Sequence, residues 1–94
     1  MPRLDLNGFE FQQQLFSLEK AEGQATLKTF RKLLTLEWEQ VYRDSGLNWE
    51  AIDFDGERLF SIRITQKCRA LVRRIGDTVQ FVSLHPDHDS AYKR

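Results

Sequence analysis

The chain contains one cysteine, two prolines and no apolar run that approaches the length of a membrane span. The single Cys68 cannot form an internal disulfide, and a membrane helix needs about 20 consecutive apolar residues. The opening residues, Met-Pro-Arg-Leu-Asp-Leu, also lack the apolar stretch of a secretory signal. We therefore expect neither a disulfide scaffold nor a membrane protein, and the reducing cytoplasm is the expected location.

The formal net charge of the chain is zero, because 14 Lys and Arg balance 14 Asp and Glu. The balance is uneven along the chain. Residues 1–57 carry 6 Lys or Arg against 11 Asp or Glu (−5), while residues 58–94 carry 8 against 3 (+5). Between Arg58 and Arg74 there are 6 cations and no acid. Such a segment would attract phosphate groups on a compact surface, or it would simply protect the edge of a sheet with Lys and Arg.

What the chain does have is enough apolar material for one small domain. Its 94 residues are 40% hydrophobic and include seven Phe, two Trp and two Tyr, which is typical of a globular domain and not of a disordered chain. This length is near the lower limit for a self-sufficient core. We therefore expect one domain over residues 1–94, with every element contributing to its core.

The first half shows a helical spacing of apolar residues. Residues 9 to about 20 predict a short amphipathic helix with Asn7 as its N-cap. Gly23 interrupts the pattern, and a stripe of apolar residues then predicts a longer helix over residues 24–42, ended by Gly46. These two helices should form an antiparallel hairpin.

The second half changes to the two-residue period of a strand. Phe60, Ile62 and Ile64 alternate with polar residues, residues 69–75 continue the rhythm, and a Gly-Asp turn leads into a partner strand over residues 78–85. Residues 52–54 and residues 3–6 are candidates for two further short strands. The prediction is an α+β fold, in which an N-terminal helical hairpin packs on a C-terminal antiparallel sheet of three to four strands.

Three stretches of the second half carry a family resemblance: Phe60-Ser61-Ile62-Arg63-Ile64, Lys67-Cys68-Arg69-Ala70-Leu71-Val72-Arg73-Arg74 and Gly76-Asp77-Thr78-Val79. They resemble the RelE/ParE superfamily of toxins from bacterial toxin–antitoxin pairs. In that family an aromatic-x-hydrophobic-basic-hydrophobic strand precedes an Arg that opens the next strand, and a His/Arg-rich segment ending in Tyr closes the domain. The resemblance covers about residues 58–92, and the order of elements (β-α-α-β-β-β) agrees over the rest.

The resemblance implies roles for individual residues. Arg63 would hold a substrate phosphate, and Arg69 would stabilise charge on the phosphate being cleaved. His88 matches a His that some members use in proton transfer, and Tyr92 matches a terminal aromatic that stacks on a base or assists the chemistry. Ser61 stands where some members carry a second Lys.

The function implied for the ribonuclease branch is cleavage of messenger RNA in the ribosomal A site, restrained by a cognate antitoxin protein. The ribose 2′-OH attacks the adjacent phosphate, so the reaction needs a base, an acid and cations, but no metal or other cofactor. Histidine suits both proton transfers near neutral pH. His85 joins the catalytic candidates because it ends the last predicted strand. The remaining cations are candidates for RNA binding: Lys67, Arg73 and Arg74.

This hypothesis requires the candidate residues to share one face of the sheet. Strand parity places Arg63 and Arg69 out of phase with the predicted core residues, so both should point away from the helices. The segment from His85 to Tyr92 would then reach over the same open face.

Other interpretations stay open at this point. A ParE-like toxin would bind DNA gyrase and need no catalytic His, and an inactive member would serve only as a binding module. The segment His85-Pro86-Asp87-His88-Asp89 offers metal-ligand types, but all of them lie within five residues of one another, which does not favour a tight metal site. It also fits a solvated polar turn capped by an Asp.

Overall fold

The computed structural model describes residues 1–86, which form three helices and five strands. In chain order they are β1 (Arg3–Asp5), α1 (Phe9–Phe16), α2 (Lys20–Thr35), α3 (Trp38–Arg43), β2 (Glu50–Phe54), β3 (Glu57–Arg63), β4 (Arg69–Ile75) and β5 (Thr78–His85). The five strands make one sheet in the order β1-β5-β4-β3-β2. The predicted α+β architecture is confirmed, and both candidate short strands, β1 and β2, are present.

β1 departs from the antiparallel pattern of the other strands. It pairs with β5 in parallel, whereas the pairs β2–β3, β3–β4 and β4–β5 are antiparallel. A parallel pair requires a long crossover, and here the chain between β1 and β5 includes the helices and three strands. The N-terminal residues thus cover one edge of the sheet, and β2 forms the other.

The helices are divided differently from the prediction. α1 is preceded by Gly8 as N-cap instead of Asn7, and α2 begins at Lys20, so Gly23 lies inside it and does not interrupt it. An interior glycine costs about 1 kcal/mol relative to alanine, which is a small fraction of what packing a 16-residue helix supplies. The prediction of a single helix over residues 24–42 is wrong, because α2 and α3 divide this range.

A new N-terminus divides that predicted helix. Leu36 and Glu37 have extended backbone angles, and the Glu37 N–H donates to the Gln40 side-chain oxygen over 2.8 Å at the start of α3. Such a capping interaction satisfies donors that are orphaned at a helix start. The apolar spacing continued across the break, which is why the pattern alone concealed it.

The core lies between the helices and one face of the sheet. The rings of Phe11 (α1), Phe30 (α2) and Phe81 (β5) meet there, with centroids 5.1–6.3 Å apart. Ile62, Ala70, Val72 and Leu84 face them from the sheet, and all are buried. We call this side the helical face and the opposite side the outer face.

An irregularity in β5 decides which residues reach the outer face. Leu71 pairs with Ser83, yet the next residue, Val72, pairs with Phe81, so Val82 is an extra residue in β5. This is a β-bulge. It allows Phe81 and Leu84, three positions apart, to share the helical face, and it places Ser83 and His85 on the outer face.

No helix in the part of the chain that the structure describes has the length and apolarity needed to cross a membrane.

Candidate active site

The outer face carries a row of charged residues at one end of the sheet. Arg63 of β3 pairs with Arg69 of β4, and Arg69 pairs with His85 of β5. The adjacent row contains Ser61 opposite Leu71, Ser83 on β5, and Glu50 on β2 opposite Ser61. Side chains two apart on a strand share a face, so the two rows form one surface.

Arg69 is the buried member of this surface, with 2% of its area exposed. Its Nε donates to Ser61 Oγ over 2.5 Å, and its Nη2 donates to the Asn48 carbonyl oxygen over 3.4 Å. Glu50 Oε1 lies 3.8 Å from the same Nη2. A buried guanidinium needs such partners, because an unpaired buried charge is strongly unfavourable.

The partners of Arg69 come from a turn and two strands. Asn48 has a positive φ of 49°, a left-handed conformation that asparagine tolerates better than most residues. The turn around Asn48 is fixed by Asp44, whose carboxylate accepts the Leu47 N–H over 2.8 Å and binds Lys32 Nζ over 2.8 Å. The Lys32 and Leu47 bonds lower the pKa of Asp44 against the opposing effect of burial. The ordered turn holds the Asn48 carbonyl in place for the guanidinium.

His85 is half-buried beside Arg69 on the neighbouring strand. Its Nε2 lies 2.9 Å from Ser83 Oγ, and burial lowers the pKa of its imidazole, with Glu10 acting weakly in the opposite direction. A lowered pKa means that the neutral ring, which can accept a proton, dominates at neutral pH. The structure thus places an imidazole with a lowered pKa next to a buried guanidinium.

The outer face is curled around this site. The rings of Phe54 and His85 have centroids 6.1 Å apart, although β2 and β5 are separated by two strands in the sheet. On a flat sheet those strands would lie about 14 Å apart. The face is therefore concave, and the curvature brings side chains of β2 and β5 together.

Arg63 shares the row of Arg69, but its side chain lines a different part of the surface. As the last residue of β3, it borders a cleft beside α2 together with Lys28, Thr29 and Lys32. Its backbone N–H donates to the Leu47 carbonyl over 2.7 Å, which ties the strand end to the turn around Asn48. Arg69 and His85 come together on the outer face, and Arg63 lies between that face and the cleft.

The other candidate cations are in three different environments. Arg73 lies on the outer face, where its Nη2 and Nε contact a single Glu57 oxygen, Oε2, over 2.5 and 2.6 Å, and it also donates to Gln80. Arg74 lies on the helical face, where its guanidinium stacks 3.6 Å from the centroid of Trp38 in α3. Lys67 is exposed in the turn between β3 and β4. Strand alternation separates Arg73 from Arg74, so the cation run of the sequence is not one patch.

Two sequence-predicted catalytic residues, His88 and Tyr92, lie outside the described residues, as do Asp87 and Asp89 of the considered metal-ligand segment. Within residues 1–86, no group of three or more His, Cys, Asp or Glu side chains is placed to hold a metal ion. Burial raises the pKa of the Cys68 thiol to about 11, so this cysteine stays protonated at neutral pH and is a poor nucleophile.

Sequence reasoning missed three of the residues that surround Arg69. Ser61 was noted only as a departure from the lysine of some RelE/ParE toxins, whereas its hydroxyl accepts the Arg69 Nε hydrogen. Asn48 and Glu50 precede or begin a strand that the sequence predicted only over residues 52–54. Only the pairing of Glu50 with Ser61 brings these residues to Arg69, and no local pattern encodes that pairing.

No protein-family model and no curated protein matches the sequence, but similar chains are found among solved structures. The archaeal RelE–RelB complex from Pyrococcus horikoshii OT3 contains a similar chain, with a TM-score of 0.62 and 23% identity over 90% of this chain and 93% of that one. A copper-bound mutant toxin from Helicobacter pylori is similar with a TM-score of 0.58 and 17% identity, over 96% and 98% of the two chains. The chain therefore has the fold of the RelE-like toxins.

Proposed function

We propose that this protein is the toxin of a type II toxin–antitoxin system and a ribosome-dependent endoribonuclease that cleaves messenger RNA by metal-independent attack of the 2′-OH. The observation that carries the proposal is the adjacent placement of Arg69 and His85 on a concave sheet face. A neutral imidazole and a fixed guanidinium are a base and a charge stabiliser for phosphodiester cleavage.

In the proposed reaction, His85 takes the proton of the 2′-OH as the 2′-oxygen bonds to phosphorus. Its lowered pKa keeps the accepting form dominant at neutral pH. Arg69 donates to the non-bridging oxygens, where negative charge grows in the transition state. The bond from phosphorus to the 5′-oxygen breaks, and an acid protonates that oxygen, leaving a 2′,3′-cyclic phosphate and a 5′-OH end. His88 is the candidate acid and Tyr92 the candidate stacking residue, both from the family resemblance.

Glu50 and Ser61 are positioning residues in this scheme. Ser61 holds the Nε edge of Arg69, which aims the guanidinium. Glu50 is 53% exposed at its side chain and lies 3.8 Å from Nη2, beyond hydrogen-bond distance. Because Arg69 itself is 2% exposed, a phosphate can reach it only after neighbouring side chains move.

The proposal includes a cognate antitoxin that keeps the toxin inactive. One structural neighbour was solved as a RelE–RelB complex. We expect a partner to contact the outer face, where a charge-assisted bond to Arg63 would compete with RNA. Mass action would make the complex the resting state.

A second candidate function is protein binding without catalysis, with DNA gyrase as the alternative target. The observation that favours it is the exposed face of α1, where Phe9 is 74% and Phe16 is 82% exposed. These phenylalanines are seven residues apart and therefore lie on the same side of the helix. Exposed aromatic residues of this kind are typical of protein contact sites.

The deciding experiment is a bacterial cell-free translation reaction with one defined messenger RNA, in which 5′ ends are mapped by primer extension. Wild-type protein should produce new ends within translated codons, whereas Arg69→Lys and His85→Gln should reduce them by about 100-fold or more, the typical value of a positioned catalytic group. His88→Ala tests the candidate acid. Arg58→Gln is the control, because Arg58 is an exposed cation paired with Asp53 at the far end of β3.

Two further controls complete the design. RNA without ribosomes tests ribosome dependence, and circular dichroism confirms that each variant is folded. Intact message at full translation would rule out the ribonuclease, and a gyrase supercoiling assay with Phe9→Ser and Phe16→Ser variants would then test the second candidate.

A further inference from the structure

The cleft beside α2 is a second cationic site on this small domain. It has a volume of about 640 Å³ and lies between α2, the turn at residues 46–47 and the end of β3. Four cations line it, three within about one turn of α2 and one on the strand: Lys28, Arg31, Lys32 and Arg63. Among the described residues that line the cleft there is no Asp or Glu.

One wall of the cleft is held in place by an ion pair. Lys32 Nζ binds Asp44 Oδ1 over 2.8 Å, which offsets one of the four charges and joins α2 to the turn. A side chain at Gly46 would begin 2.9 Å from Lys32 Nζ and 3.1 Å from Asp44 Oδ1, so glycine leaves this pair undisturbed. Lys28 and Arg31 are exposed, and Arg63 is exposed across from them.

The cleft borders the candidate active site at Arg63. Arg63 lines the cleft and pairs with Arg69 in the sheet. The same turn also serves both, since the Leu47 carbonyl accepts the Arg63 N–H and the Asn48 carbonyl accepts the Arg69 guanidinium. A chain of phosphates bound at Arg69 can therefore continue past Arg63 to α2 without crossing an acidic side chain of the cleft lining.

We propose that this cleft binds the RNA backbone on one side of the scissile phosphate, with Lys28, Arg31 and Arg63 as its phosphate contacts. The inference rests on the proposed function for the identity of the ligand. Single-stranded RNA fits the lining better than an acidic peptide does. The exposed leucines of α2, Leu27 and Leu34, which would anchor a peptide, are not among the residues that line the cleft.

The test is an NMR titration of the ¹⁵N-labelled protein with a 2′-O-methyl RNA oligonucleotide, which has no free 2′-OH and cannot be cleaved. The amides of Thr29, Lys32 and Gly46 should shift on binding. NMR detects weak binding as well as tight binding, so the absence of any shift at these amides would overturn the proposal.

A matched pair of double variants measures the contribution of the cleft. Lys28→Gln with Arg31→Gln removes two cleft cations, and Arg3→Gln with Lys20→Gln removes two exposed cations elsewhere. For single-stranded RNA, each lost phosphate contact reduces the slope of log K against log salt by about 0.7. The slope for the cleft variant should be smaller than that of the wild type by about 1.4. Its loss of affinity relative to the wild type should therefore be about 25-fold greater at 0.1 M salt than at 1 M salt.

The control variant should keep both the affinity and the slope of the wild type. Equal losses in the two variants would overturn the proposal, because binding would then follow overall charge. Preferential binding of a poly-glutamate peptide at the same amides would also overturn it and would indicate a protein partner.

These outcomes can be separated from the fate of the proposed function. If the primer-extension assay finds no cleavage but the cleft amides shift with RNA, the catalytic proposal fails and the cleft proposal stands. If cleavage depends on Arg69 but not on Lys28 or Arg31, the catalytic proposal stands and the cleft proposal fails.

Discussion

Arginine side chains have different environments at the two ends of β4. At the start of the strand, Arg69 is buried and bonded to a serine hydroxyl and a backbone carbonyl. At the end, Arg73 forms a half-exposed ion pair with Glu57, and Arg74 lies against the ring of Trp38. Only the first environment combines a buried guanidinium with a neighbouring titratable imidazole. A count of cations along a strand therefore does not locate an active site.

The largest expected effect is on the buried end of β4. Arg69→Ala should lower the free energy of unfolding by about 3 kcal/mol, because it leaves a cavity and removes the partners of the buried Ser61 hydroxyl and the Asn48 carbonyl. Urea denaturation measures the change. A loss below about 1 kcal/mol would mean that Arg69 is solvated and would remove the contrast between the two ends.

A smaller effect is expected where Arg74 covers an aromatic ring. Arg74→Ala should cost about 1 kcal/mol, since it removes a stacked cation from Trp38. The same urea experiment, followed by tryptophan fluorescence, measures both the stability and the environment of the ring. Arg74→Lys is the control, and if it behaves like wild type, charge and not the planar guanidinium is what matters there.

The ion pair of Arg73 should contribute less again. A double-mutant cycle with Arg73→Gln and Glu57→Gln should give a coupling free energy of about 0.5 kcal/mol, because both side chains remain partly exposed to water. The coupling should shrink as salt is raised from 0.05 to about 0.5 M, where screening shortens the range of surface charges. A salt-independent coupling above 2 kcal/mol would place this pair in the same class as Arg69.

The smallest effect concerns pH and His85. Burial lowers the folded-state pKa of this imidazole below its usual 6.5, so the unfolded chain binds more protons between the two values. Above pH 6.5 His85 therefore does not reduce the free energy of unfolding. As pH falls below 6.5, the free energy of unfolding decreases, because the unfolded chain takes up the proton more readily. Wild type should lose more stability than His85→Gln between pH 7.5 and 5, and NMR titration should find an imidazole midpoint below 6.5. A midpoint above 6.5 would contradict the assignment of His85 as a base.

Alternation and helical spacing predicted the elements well because each reflects a local requirement of burial. β3 forms where the alternation predicted a strand, but it is not half-buried, because Leu59, Ser61 and Ile62 are all buried. The break between α2 and α3 was missed because an N-terminal capping interaction, and not a change in apolar spacing, divides them. The prediction that Gly23 interrupts the helix failed because packing overrides a single unfavourable residue.

The candidate site was only partly predictable. Arg69 was named from a family resemblance and His85 from its place at the end of the last predicted strand, and register brings them together. The partners that make Arg69 distinctive, Ser61, Asn48 and Glu50, lie 8 to 21 positions away from it and were not identified. Their role depends on strand pairing, which couples residues that no short window of sequence contains.

The order of neighbouring residues was enough to predict the class of elements and the presence of a cationic second half, because both depend on short stretches of chain. Which cation is buried, which is paired and which lines a cleft could be read only from the folded chain, because burial and pairing depend on segments that meet through space. The bulge at Val82 illustrates the point, since one extra residue in β5 sets the faces of Ser83 and His85 and so the composition of the site.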